Sequence, residues 1–140
     1  MTNLCNQAIT APVSAQIATP AGQTVGIPVA GFGNPQALTV QARFTCVVGT
    51  GTSVTAWVQT TIDGTNWIDI ACFGFTTSSA AVFVNVNGTA NVSTPQAIGD
   101  GVLASNTILP GILGSQYRVK ITSAGTYAAG TTVTIDVQQH

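Results

Sequence analysis

Charge is the scarcest property of this chain. Lys and Arg together number 3 and Asp and Glu number 4 among 140 residues, so 5% of the chain is charged, where a soluble domain has about 25%. Surface charge keeps free proteins apart, and a formal net charge of -1 favours association. Three cations are too few to neutralise a phosphate backbone, which argues against a nucleic-acid partner. We therefore expect a subunit that functions in contact with other protein molecules.

Side chains for catalysis are also scarce. The single His, His140, is a poor candidate for the base that acyl transfer requires. The acidic residues are all Asp and occupy turn-like or outward strand positions, so no carboxylate pair suits glycoside hydrolysis. We predict no enzymatic activity and no cofactor. Binding of Ca²⁺ by Asp63, Asp69 or Asp100 stays open.

Long apolar runs are missing despite a mean hydropathy of +0.40. No run of 18 residues is free of polar side chains, so we expect no membrane partner and no spanning helix. The first residues lack the basic and apolar stretches of a secretory signal, so we expect synthesis in the cytoplasm of the producing cell.

The 3 cysteines cannot all pair within one chain. Cys46 and Cys72 lie in strand-like runs, and their favoured interpretation is that of small buried hydrophobic residues. A Cys46–Cys72 disulfide is the alternative, and it would leave Cys5, in a polar segment, for an intermolecular bond. There is no C-x-x-C spacing, so we predict no metal site.

Two regions differ in pattern. Residues 1–35 contain four of the 6 prolines and show no sustained alternation, which predicts an extended N-terminal arm with one strand around 24–30. Residues 36–140 alternate between apolar and polar positions, which is typical of half-buried strands. We predict an antiparallel β-sandwich or a jelly-roll-like barrel for this second region.

The alternation predicts strands and their pairing. The run from Leu38 is one strand, and a hairpin with a three-residue loop, 63–65, would pair Thr60 with Ile68 and Val58 with Ile70. Further strands are expected at 81–86, 116–123 and 131–138, after a long excursion between Asn87 and Gly114. Pairing the last two strands with each other would set Arg118 opposite Asp136.

The outward strand positions carry the candidate interface. Both tryptophans fall on the outward face of the predicted hairpin, where an exposed aromatic residue favours a contact with a partner. Two alternatives remain: a second sheet or the N-terminal arm covers these side chains, or they stack on a sugar ring. The candidate interface residues are Trp57, Trp67, Gln59, Thr61, Asp69 and Arg43.

Several ordered segments resemble a known group of proteins. The runs 60–71, 100–107, 111–120 and 125–133, among them Thr-Ile-Asp-Gly-Thr-Asn-Trp and Gly-Ser-Gln-Tyr-Arg-Val-Lys, are similar to segments of small structural proteins of tailed bacteriophages and prophages. The resemblance covers roughly residues 36–138 and contains no catalytic motif. It implies a capsid-associated β-sandwich that decorates the phage head.

The resemblance and the low charge together lead to one expected function. We expect a virion structural protein, a decoration or cement protein on the capsid surface, whose partner is the major capsid protein or another virion protein. A homo-oligomer is also expected, with the arm reaching a neighbouring subunit. The alternative is a β-sandwich module of a tail or fibre that binds host glycans or another virion protein.

Overall fold

The computed structural model describes all residues, 1–140, and its regular secondary structure is made of strands. The nine strands are β1 (Thr2–Ala8), β2 (Gln16–Ile17), β3 (Ala37–Thr45), β4 (Ser53–Thr61), β5 (Ile68–Phe75), β6 (Ala80–Asn87), β7 (Thr107–Ile108), β8 (Gln116–Ala124) and β9 (Thr132–Gln139). No helix of the structure is long and apolar enough to cross a membrane.

The strands form two antiparallel sheets that pack face to face. The front sheet has the order β1-β9-β3-β6, and the back sheet has the order β2-β8-β4-β5-β7. The predicted β-sandwich is therefore confirmed. Strands β6, β8 and β9 lie within one residue of their predicted bounds, and β3 begins one residue before the predicted start at Leu38.

The core lies between the sheets and is built from the predicted inward sets. In β3, Leu38, Val40 and Ala42 are completely buried, because alternate side chains of a strand point to the same face. At one end of the core, Phe44 stacks on Phe75 with ring centroids 5.1 Å apart. Period-two alternation was thus sufficient to find the buried face of this strand.

The β4–β5 hairpin has the predicted pairing only near its turn. Thr60 lies opposite Ile68, as predicted, but Val58 lies opposite Ala71 and not Ile70. A register shift between Val58 and Gln59 inserts one extra residue into β5, which is the geometry of a β-bulge. The bulge leaves Ile70 and Ala71 both fully buried, so two consecutive residues of β5 belong to the same hydrophobic core.

The predicted pairing of the last two strands is wrong. β8 pairs with β4 and β2 in the back sheet, whereas β9 pairs with β1 and β3 in the front sheet. Arg118 and Asp136 therefore belong to different sheets and do not form a cross-strand pair. Strands β8 and β9 have the same alternation of apolar and polar residues, so the burial pattern alone does not determine which strand each of them pairs with.

The first 35 residues lie along the sandwich itself. β1 is an edge strand of the front sheet, and the chain then crosses to the back sheet, where β2 pairs with β8. The expected strand at 24–30 is reduced to a single bridge between Val29 and Tyr117. Five core side chains come from this segment: Leu4, Cys5, Ile9, Ala18 and Phe32. Any partner contact by the segment must therefore use its outer surface.

The chain between β6 and β8 forms a long loop over the outer face of the back sheet. This covering loop, residues 88–115, contains only the two-residue strand β7, which pairs with β5. Its backbone is tied to the sheet by bonds such as Asp69 N–H to the Gly99 carbonyl at 2.8 Å. A long loop was predicted here, and its position decides which side chains reach solvent.

Candidate functional site

A row of polar side chains crosses the outer face of the back sheet. Asp69 on β5 lies opposite Gln59 on β4, and Gln59 lies opposite Arg118 on β8. Residues directly opposite each other on neighbouring strands point to the same face of the sheet, so all three side chains lie on the outward face. The prediction that Gln59 and Asp69 share this face is confirmed. Both side chains, however, are buried beneath the covering loop, at 0% and 2% exposure.

The Asp69 carboxylate holds the covering loop in place. It accepts hydrogen bonds from the backbone N–H groups of Gly101 (2.9 Å), Val102 (2.7 Å) and Leu103 (2.9 Å). It also accepts one from Gln59 Nε2 at 2.7 Å. Bonds to an ionised acceptor are stronger than neutral ones, so one buried anion satisfies three consecutive backbone donors of a segment that has almost no secondary structure.

Asp100 joins the same network from the loop side. It accepts a bond from Gln59 Nε2 at 2.7 Å and forms ion pairs with Arg118 and Lys120. Burial raises the pKa of the Asp100 carboxyl, but hydrogen bonds from Lys120 and Gln59 and the two positive charges outweigh burial, so its pKa lies below the usual value. The loop is therefore anchored by charge as well as by backbone bonds.

Arg118 connects this network to an aromatic ring. Its Nε donates to Gln59 Oε1 at 2.7 Å, and its guanidinium carbon lies 4.1 Å from the centre of the Trp67 ring, a cation–π contact. Burial lowers the pKa of the guanidinium, and the charge of Asp100 opposes that effect. The network thus runs from Asp100 through Arg118 to Trp67.

The predicted interface on this face needs correction. Trp67 is 6% exposed and Thr61 1% exposed, and the indole N–H of half-buried Trp57 donates to the Leu103 carbonyl at 2.9 Å. The cover is neither the second sheet nor the N-terminal segment but the covering loop. Three predicted residues, Trp67, Gln59 and Asp69, therefore fill an internal polar layer, and Trp57 lies at its margin. Thr61 belongs instead to the hairpin turn, where its hydroxyl donates to Asp63 Oδ1 at 3.1 Å and accepts the Gly64 N–H at 3.0 Å.

Arg43 lies on the opposite side of the molecule. Its side chain is half exposed on the front sheet and forms an ion pair with Asp136 at 3.0 Å. Asn3 Nδ2 donates to the other oxygen of Asp136 at 2.8 Å. Asp136 therefore pairs diagonally with Arg43 on the adjacent β3, where Gln41 lies directly opposite Asp136. Arg43 does not belong to the tryptophan face.

The Asp-Gly turn at the end of the hairpin is held by its own side chains. Asp63 accepts bonds from the backbone N–H groups of Thr65 (2.8 Å) and Asn66 (2.7 Å), and Gly64 takes a φ of 78° that glycine adopts without strain. These backbone bonds hold the pKa of the Asp63 carboxyl well below its usual range. Asp63 acts here as a turn former.

An apolar groove opens beside this turn. It has a volume of about 340 Å³, and Ile62 and Ile98 on its rim are 79% and 62% exposed. Ile68 and Ile112 complete the apolar lining, and polar residues, among them Asp63 and Gln96, line the rest of the groove. Sequence reasoning missed this feature because Ile98 and Ile112 belong to an irregular loop, where no periodicity indicates a face.

The cysteines are all unpaired. Cys5 and Cys72 are buried and Cys46 is partly exposed. Burial raises the pKa of Cys5 to about 12 and that of Cys72 to about 11. The proposed intermolecular disulfide of Cys5 would require β1 to leave the front sheet, because the Cys5 thiol faces the core and donates to the Val133 carbonyl.

Every charged side chain is bonded within the molecule. Arg43 pairs with Asp136, and Arg118 and Lys120 pair with Asp100, while Asp69 and Asp63 accept backbone N–H bonds as described above. The remaining side chains of the surface are uncharged polar and apolar groups.

Comparisons of the chain with protein-family models, with curated proteins and with solved structures find no match. The similarity of the segments to phage structural proteins therefore stays a prediction.

Proposed function

We propose that this protein is a non-enzymatic structural subunit that packs onto a protein lattice, and specifically a capsid decoration protein of a tailed bacteriophage or prophage. The observation that carries the proposal is that all seven charged side chains are bonded within the chain. A surface with so few free charges allows many copies to lie side by side with little mutual repulsion. The phage setting rests on the segment resemblance.

The groove beside the Asp-Gly turn is the part of this surface best suited to the lattice contact. Ile62 and Ile98 are exposed although each carries an apolar side chain, and burial of apolar area contributes about 25 cal/mol per Å². The glycan-binding alternative loses its main support, because Trp67 is buried and the indole N–H of Trp57 is already bonded.

Binding to shells of the major capsid protein from the same genome tests the proposal. We expect the purified protein to co-sediment with shells at saturable stoichiometry, with little loss between low and high salt, because the contact does not depend on charge. Ile62→Asp and Ile98→Asp should each weaken binding at least tenfold. Val48→Asp, at a site that is 86% exposed, is the matched control.

Two results would contradict the proposal. One is the absence of co-sedimentation with intact shells while the protein remains folded. The other is binding that disappears at moderate salt, which would indicate that the contact depends on charge and not on the apolar side chains of the groove. Saturable binding that neither groove variant weakens would still support a decoration role, but it would show that the capsid contact does not use the groove.

A further inference from the structure

Strand β6 is the one long edge of the sandwich without protection. The back sheet ends in β2 and β7, which are two residues each. The other edge of the front sheet, β1, is partly covered by the N-terminal segment, for example by Asn6 N–H bonding to the Thr19 carbonyl. β6 spans eight residues, Ala-Ala-Val-Phe-Val-Asn-Val-Asn, and has no charge and no proline, the usual protections of an edge.

The register of β3 identifies which backbone groups of β6 are free. His140 N–H bonds to the Ala37 carbonyl, so the odd-numbered residues of β3 bond to β9 and the even-numbered ones bond to β6. Their partners on β6 are Ala80, Val82, Val84 and Val86. The N–H and C=O groups of Ala81, Phe83 and Asn85 therefore point away from the sheet.

The end of this free edge is marked by a bond. The carbonyl of Asn87, the next odd-numbered residue, already accepts the Gly111 N–H at 2.8 Å. The free ladder thus has three residues, with Phe83 at its centre. The Phe83 side chain is 66% exposed and the Val82 side chain, although it faces the core, is 37% exposed. Both backbone and side chains are incompletely covered.

We propose that β6 pairs with β6 of a second copy of this chain, antiparallel and about a two-fold axis at Phe83, so that two front sheets join into one eight-stranded sheet. In this register Phe83 pairs with the second copy's Phe83, and Ala81 pairs with the second copy's Asn85. All three free residues of each copy then exchange both bonds, about six in all. This inference does not depend on the proposed function.

Symmetry and charge favour a second copy as the occupant. About a two-fold axis the same strand edge is used by both copies, so every free N–H and C=O group of Ala81, Phe83 and Asn85 is hydrogen-bonded in the dimer. Val82 comes to face Val84 of the other copy on the core side. The nearest charge, Arg43, lies next to Ala81, and the two Arg43 side chains would be about 20 Å apart by strand spacing, beyond the Debye length of about 8 Å.

Backbone amide exchange measured by NMR at micromolar and millimolar protein tests the pairing. The amides of Ala81, Phe83 and Asn85 should gain protection as the concentration rises. The amides of Val82 and Val84 should be protected at all concentrations, because they bond to β3. Sedimentation velocity over the same range should show a monomer–dimer equilibrium without larger species, since the two-fold contact uses up the edge.

Two variants and a control complete the test. Ala81→Pro removes an outward N–H that no bond within the chain uses, and Phe83→Lys places like charges at the two-fold axis. Each should weaken dimerisation at least tenfold while leaving the thermal unfolding of the dilute protein nearly unchanged. Val25→Lys, at a site that is also 66% exposed, should dimerise as the unmodified protein does.

Three outcomes would overturn the inference. The first is a chain that stays monomeric at millimolar concentration. The second is a dimer in which the amides of Ala81, Phe83 and Asn85 stay unprotected. The third is a dimer that Phe83→Lys leaves unchanged. Because these measurements use the purified chain alone, their failure is separable from a failure to bind capsid shells.

Discussion

Replacing Asp69 by Ala should show how the covering loop is held. The substitution removes the acceptor of three backbone N–H groups and of Gln59 Nε2. A buried donor left without a partner costs about 1–3 kcal/mol, and loop relaxation lets water reach some of the four. We therefore expect the free energy of unfolding to fall by about 3–5 kcal/mol. This is a large part of the stability of a typical domain, which is about 5–15 kcal/mol.

Urea unfolding followed by tryptophan fluorescence measures this loss. With an m-value of about 2 kcal/mol per M, the transition midpoint should fall by about 2 M. Asp69→Asn keeps the shape of the side chain but removes its charge and replaces one acceptor oxygen by an NH₂ group, which cannot accept the backbone N–H bonds made to that oxygen. It should lose nearly as much stability as the Ala variant. Hydrogen exchange at Gly101, Val102 and Leu103 should accelerate in both variants.

Asp63→Asn is the control for the removal of one negative charge. Asp63 lies in an exposed turn, and the amide oxygen of Asn can accept the same backbone bonds. Its midpoint should move far less than that of Asp69→Asn. The reasoning is refuted if Asp69→Ala costs less than about 1 kcal/mol, or if the loop amides keep their protection, because the carboxylate would then not be the anchor of the loop.

The remaining predictions concern pH. Burial raises the pKa of the Cys5 thiol from its usual 9.0 to about 12, so ionisation favours the unfolded chain as the pH rises past 9, and Cys5 alone should lower stability by about 2 kcal/mol by pH about 10.5. Cys5→Ser, which keeps the donor to the Val133 carbonyl, should remove this part of the fall and leave the part that arises from the raised pKa of Cys72. The pKa of Asp100 is lower in the folded than in the unfolded chain, so the stability that its carboxylate contributes is present above the unfolded pKa of about 3.9 and is lost as the pH falls below it. Asp100→Asn should therefore lower the stability at neutral pH and make stability depend less steeply on pH in acid.

Denaturation midpoints across the pH range check both expectations. An alkaline limb of equal slope in the protein and in Cys5→Ser would contradict the first. An acid limb that is equally steep with and without the Asp100 carboxylate would contradict the second. At neutral pH, Cys46 should react with a thiol reagent before Cys5, because its side chain is more exposed to the reagent.

Much of the fold was predictable from local pattern. The inward residues of β3 and the bounds of β6, β8 and β9 follow from period-two alternation, since one strand face is buried and the other is not. The outward face of the hairpin was also found correctly. What the pattern could not supply was the identity of the cover, because outward means only away from the core and not exposed to solvent.

Pairing between distant strands was the main failure. β8 and β9 each carry three inward apolar residues and an outward set of polar ones, so each fits either sheet by burial. Their assignment depends on contacts of β8 with β4 and of β9 with β3, which are far apart in the chain. The bulge at Ile70 was likewise invisible, since it changes the register by one residue and leaves the composition unchanged.

The sequence by itself determined an all-β domain with few charges and a long loop before β8, because composition and periodicity are local properties. Only the tertiary structure decided that the loop folds over the tryptophan face, that Asp69 is its anchor, and that β6 is left as the open edge. Those outcomes arise from contacts between segments tens of residues apart, and the free energy that selects them depends on which groups become buried together.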